Sequence, residues 1–151
     1  MGVPGMDMDM SGRVDPGRKI DVVCAVIEHG GLVLAAQRSE AMRLPLKWEF
    51  PGGKIEPGEN PEESLHREIR EELGLRIRIT GALPPVRHEY PDLSVMLYPL
   101  RCSVTGGDLI LQEHAAVVWL PPGRLRELDW AEADLPVVDE YLGRLDSVQK
   151  K

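Results

Sequence analysis

The chain has 151 residues with 25 acidic and 18 basic side chains, a formal net charge of -7 and an isoelectric point near 5.1. That length suits one domain around a single core, and the negative balance argues against nucleic-acid polymers as partners, because such binding is driven by positive charge meeting phosphate. No apolar run approaches the ~18 residues of a membrane span and no charged-then-apolar leader is present, so a cytoplasmic protein that does not enter a membrane is expected.

Residues 1–19 are rich in Gly, Pro, Asp and Met without helical or alternating periodicity, which predicts a disordered arm ahead of one domain over 20–148. Ile20 to Glu28 and Leu32 to Gln37 are apolar runs around His29-Gly30-Gly31, the pattern of a hairpin. Asn60 is an N-cap residue, Pro61 suits the first helical position, Glu62 and Glu63 complement the helix dipole, and Gly74 can take the left-handed conformation that ends a helix. A helix from Pro61 to Leu73 follows, with Leu65, Ile69 and Leu73 as its apolar stripe. Arg76 to Thr80, Val86 to Glu89, Ser94 to Val104 and Ala116 to Leu120 read as strands. Pro121-Pro122 stops the last one, a short helix over Gly123 to Leu128 is expected, and Pro136 to Leu145 predicts a C-terminal helix. Cys24 and Cys102 sit in strand-like runs and read as free, buried thiols. Mixed strands with one helix in the middle and one at the end suit an α+β domain whose sheet is covered on both faces.

The middle helix carries the chemistry. Glu68, Glu71 and Glu72 fall at i, i+3 and i+4, which places three carboxylates on one arc, where like charges destabilise the helix unless something compensates. A hard divalent cation takes such oxygen ligands together with substrate phosphates. The flexible turn expected at Gly52-Gly53 would let backbone carbonyls approach the same ion. The competing reading is a solvated Glu/Arg face, with Glu63, Arg67 and Glu71 spaced for i, i+4 pairs.

The full pattern decides between them. Gly53, Glu59, Arg67, Glu68, Ile69, Glu71, Glu72, Gly74 and Leu75 fill the Nudix box, G-x5-E-x7-R-E-U-x-E-E-x-G-U with U a bulky aliphatic residue, without a mismatch. The run Lys47 to Glu56, the Glu113-His114 pair ahead of Trp119, and Ala133-Asp134-Leu135-Pro136 resemble the MutT-like branch that includes CTP pyrophosphohydrolase, so the resemblance covers about Ile20 to Leu145. It implies the Nudix fold, a mixed sheet in an α/β/α sandwich. It also implies Mg²⁺ or Mn²⁺ held by Glu68, Glu71 and Glu72 with a carbonyl of Gly52 or Gly53, while Glu59 and Arg67 orient the loop and helix. The implied reaction is water attack on a nucleoside triphosphate, giving monophosphate and pyrophosphate, with Glu72, Glu71 or Glu113 as base. Glu113 also matches a family position that carries a metal ligand.

Substrate contacts are expected from Arg38, Asp134, Tyr90 and Trp48. Arg38 reads equally as a loop charge and the two aromatics as core. His114 could orient the Glu113 carboxylate. Asp134 stands where bacterial 8-oxoguanine-hydrolysing relatives carry asparagine. Ionised, it only accepts and favours a base with an exocyclic amine, such as cytosine or adenine; buried and protonated, it regains a donor and guanine-type readings return; or it caps the helix that Pro136 begins. ADP-ribose or a dinucleoside polyphosphate as substrate, and a catalytically silent nucleotide-binding module, are the competing functions. A monomer or homodimer is expected.

Overall fold

The computed structural model describes residues 18–149, with side chains to residue 146. The expected N-terminal arm lies outside the described residues except for Arg18 and Lys19, and Lys19 already opens the first strand. The elements run β1 (Lys19–His29), β2 (Leu32–Gln37), β3 (Trp48–Glu49), β4 (Gly52–Lys54), α1 (Pro61–Leu73), β5 (Leu75–Ala82), β6 (Val86–Glu89), β7 (Ser94–Gly107), β8 (Ala116–Leu120) and α2 (Leu135–Gln149). Two 3₁₀ turns, Pro122–Glu127 and Glu132–Asp134, join β8 to α2. The first of these stands where a short helix was expected.

The β1–β2 hairpin turns through Gly30 and Gly31 at φ 59° and 80°, the positive values a two-residue turn demands. β1 lies at the centre and pairs in parallel with β7 from Lys19↔Ser94 to Glu28↔Ser103. Val23 to Ile27 are at most 2% exposed, so β1 is covered on both faces and reads as a continuous apolar run. One face packs Cys24, Val26, Phe50 and Trp130 against Val137, Val138 and Tyr141 of α2. The other packs Val23, Ala25, Ile27 and Leu34 against Leu65, Ile69 and Leu73 of α1. This is the expected sheet between helices, and Cys24 and Cys102 are buried free thiols on its opposite faces.

β1 also forks, and the fork positions the site. Its end pairs with β2 at Glu28↔Val33 and His29↔Leu32, whereas its first half pairs with β4 at Val22↔Lys54, Val23↔Gly53 and Cys24↔Gly52. Gly52 and Gly53 are therefore strand residues rather than a flexible turn. Close approach explains the glycines: a Cβ on Gly52 would overlap the Val23 carbonyl, and one on Gly53 would overlap the Glu68 carboxylate.

Candidate active site

α1 delivers the acids. Its start is a capping box in which Asn60 Oδ1 accepts from the Glu63 amide at 2.8 Å and Glu63 Oε1 accepts from the Asn60 amide at 3.0 Å. Gly74 closes it at φ 71°. With Leu65, Ile69 and Leu73 facing the core, the adjoining arc brings Glu68 and Glu72 down beside β4, and they are only 5% and 8% exposed.

Arg67 organises the loop before the helix. Its Nε and Nη2 donate to the two oxygens of Glu59 at 2.7 and 2.8 Å, and its Nη2 also donates to the Lys54 carbonyl at 3.3 Å. Glu59 in turn accepts from the Glu56 amide at 3.0 Å, so one carboxylate ties both ends of the 56–59 turn to the helix. The Arg67 hydrogen bonds hold the Glu59 carboxyl down at about 2, and Glu59 in turn raises the Arg67 guanidinium. Arg67 Nη1 reaches Glu68 at 2.9 Å and Glu71 at 3.3 Å. These contacts are those of an orienting residue.

Glu68, Glu71 and Glu72 share one groove with Lys54, Glu56 and Glu113. Burial raises the Glu68 carboxyl, and burial pushes Glu72 up to about 7, with the Glu68 and Glu113 charges adding to the rise. Among the described residues no three acidic or histidine side chains stand close enough to hold an ion as they are. Glu68 and Glu71 are both engaged by Arg67 Nη1. In kind the donors fit a hard cation: buried carboxylates whose charge is penalised by their surroundings, next to a glycine backbone packed against one of them.

A second cavity opens beside the groove, lined by Arg38, Glu49, Phe50, Tyr90, Ala133 and Asp134 among others. Arg38 Nη1 donates to Glu49 Oε1 at 2.6 Å, and its Nε bonds the Arg43 carbonyl. His114 Nε2 lies 2.7 Å from the other Glu49 oxygen. Burial alone would raise Glu49, but the His114 hydrogen bond and the Arg38 charge outweigh it and hold the carboxyl below its ordinary range. Asp134 is 6% exposed and accepts the Phe50 amide at 3.1 Å. Burial, then the Glu49 charge, raises its carboxyl well above the ordinary value. Tyr90 lines the cavity with its hydroxyl accepting the Ala133 amide at 3.1 Å and the Arg43 guanidinium 5.5 Å over its ring.

The structure thus brings Arg38, Tyr90 and Asp134 together in the cavity and Glu68, Glu71, Glu72 and Glu113 together in the groove. Trp48 joins neither: alternation along β3 sends Glu49 into the cavity and leaves the Trp48 ring packed on the core. His114 faces Glu49 and Glu72. The 3₁₀ turn before α2 carries Asp134, whose carboxylate is engaged by Phe50. Sequence reading passed over Glu49 and the Phe50 amide, and the only trace of them was the run Lys47 to Glu56.

Residues 17–141 match the model of the NUDIX domain. The chain belongs to the Nudix family. As a Nudix protein it is 34% identical over 125 residues to CTP pyrophosphohydrolase of Escherichia coli, covering 83% of this chain and 93% of that one. It is 44% identical over 129 residues to nucleoside triphosphatase NudI of an Enterobacter species, covering 77% and 92%. Among solved structures, a MutT protein from Methanosarcina mazei superimposes with a TM-score of 0.76 at 27% identity, covering 89% of this chain and 98% of that one. Nudix hydrolases generally use divalent metal ions, in keeping with the acid groove of this Nudix chain.

Proposed function

We propose that this chain hydrolyses a nucleoside triphosphate to its monophosphate and pyrophosphate, with the base in the cavity and the phosphates over the acid groove. One observation carries the reading: Lys54 and Glu72 line both spaces, so a ligand with a flat apolar-edged group at one end and a polyphosphate at the other spans them continuously. Curated relatives named as a pyrophosphohydrolase and a nucleoside triphosphatase support it.

The residues divide the work. Glu68 and Glu72, buried beside Gly53, would hold Mg²⁺ or Mn²⁺ with Glu71 and Glu113, and Arg67 with Glu59 keeps their helix against the loop. Bound there, the ion neutralises phosphate charge and activates a water. Glu71, 58% exposed, and Glu113 line the groove, and either of them or Glu72 would take the proton. The water oxygen joins the β-phosphorus and leaves on pyrophosphate, while the bridging oxygen leaves on the monophosphate. Arg38 and Tyr90 wall the base end. Burial and the Glu49 charge disfavour the ionised form of Asp134. Protonated, it would both donate and accept and admit guanine-type bases, whereas ionised it would only accept and favour cytosine or adenine.

The test is product analysis after incubation with Mg²⁺ and a panel of canonical and oxidised nucleoside triphosphates, ADP-ribose and a dinucleoside tetraphosphate. Monophosphate plus pyrophosphate from a triphosphate is expected, with turnover strongly reduced in Glu72→Gln because a metal ligand is lost. Turnover confined to ADP-ribose or the dinucleoside compound overturns the substrate assignment, and ligand binding with no turnover overturns the enzyme reading. Asp134→Asn sharpens the base assignment: an amide also donates and accepts, so substrate ranking should persist if Asp134 is neutral and reorder if it is ionised.

A further inference from the structure

His114 is 7% exposed, and its surroundings are unlike those of a histidine merely filling a core. Its Nε2 is 2.7 Å from the Glu49 carboxylate, which fixes the ring, but its Nδ1 has no hydrogen-bond partner and points toward Glu72 Oε2 at 3.7 Å. A buried ring nitrogen left in that state costs stability unless a nearby group compensates. The arrangement is built by strand register: Ala36↔Glu49 joins β2 to β3, Gln37↔Ala116 joins β2 to β8, and the Ala115 amide bonds the Gln37 carbonyl at 2.9 Å. Arg38, Glu49 and His114 therefore stand side by side at the ends of three paired strands, and Glu72 meets them from the helix on the far side.

We infer that His114, held by Glu49, is a positioning residue that orients the Glu72 carboxylate for the metal and so links the cavity to the groove. The inference rests on the reading of Glu72 as a metal ligand. With Oε2 turned to the imidazole, Oε1 is the oxygen presented to the groove. Groups that fix a ligating carboxylate in this way typically change metal affinity or activity by about 10- to 100-fold when removed. The Arg38–Glu49 pair lies on the cavity side of the same chain of contacts.

Two isosteric variants separate the contacts. His114→Gln keeps a donor near the Nε2 position for Glu49 and loses the atom facing Glu72. His114→Asn keeps a polar atom near the Nδ1 position and loses the Glu49 bond. Mn²⁺ alone is titrated into each protein, with free ion followed by electron paramagnetic resonance, and kcat and KM are measured for CTP and dGTP with Mg²⁺. In His114→Gln we expect Mn²⁺ affinity and kcat to fall by about 10- to 100-fold, with KM and the urea midpoint near the parent values. His114→Asn should recover part of that loss despite a lower urea midpoint. Parental Mn²⁺ affinity in His114→Gln, or losses that merely follow the fall in stability across the two variants, overturn the inference. Glu72→Gln is the control: if the parent binds Mn²⁺ and Glu72→Gln does not, a negative result at His114 sinks the positioning role alone. If the parent itself binds no Mn²⁺, the metal reading fails and this inference falls with it.

Discussion

The cavity and the groove both bury carboxylates, and they settle the resulting charge in opposite ways. In the cavity Glu49 is balanced within the chain, by Arg38 at 2.6 Å and His114 at 2.7 Å, and stays below its ordinary pKa. In the groove Glu68 and Glu71 share Arg67 with Glu59 of the preceding turn, while burial pushes Glu72 up to about 7. The Glu49 charge is thus balanced within the protein before a ligand arrives, whereas Asp134 in the same cavity is penalised by burial and by Glu49. In the groove the Glu72 charge is penalised by burial, and under the proposed function a divalent ion would supply the positive charge that favours it.

The largest test of this contrast is Arg38→Met. If the cavity charge is balanced internally, removing the arginine leaves Glu49 buried with only His114 and should cost about 3 kcal/mol. The urea midpoint reads it, and an unchanged midpoint would mean that water reaches Glu49 and replaces the lost arginine. A milder pair of changes contrasts the two glycines of β4. Gly52→Ala forces a methyl into the backbone of β1 and should lose roughly 1–3 kcal/mol. Gly53→Ala meets the end of the Glu68 side chain rather than backbone, so its midpoint should fall less than that of Gly52→Ala while triphosphate turnover drops. Equal losses of stability in both would remove the distinction between scaffold and site.

The smallest effect is in acid. Glu59 is held at about 2 when folded against an ordinary 4.5. A lowered carboxyl stabilises the fold fully above its unfolded pKa and loses that contribution as pH falls through the window toward the folded value. Between pH 4.5 and about 2, therefore, the parent should lose stability more steeply than Glu59→Gln. Parallel slopes would show that the Glu59–Arg67 anchor is too screened by solvent to matter.

Much of the fold was legible in the sequence because its signals are local. Asn60, Pro61 and Gly74 bracket α1 at the residues where it starts and stops, since caps satisfy backbone groups within one turn of the helix end. The acids at positions 68, 71 and 72 had to share a helical arc, and the box residues Glu59 and Arg67 meet across a turn of the chain. Less legible were β3 and β4, two and three residues long, because strands that short carry too little alternation to be read and exist only through their partners. The same limit hid the fates of Trp48, which faces the core, and of Gly52 and Gly53, which lie in a strand.

The sequence by itself determined the family, the helix that bears the acids and the chemistry those acids suit, because each depends on residues a few positions apart. Only the tertiary structure decided that Asp134 meets the Phe50 amide across 84 residues, and that His114 meets Glu49 across 65. Those contacts arise from the forking of β1 and the register of β2, β3 and β8. Pairing register is settled by burial of whole strand faces, and no local pattern records it.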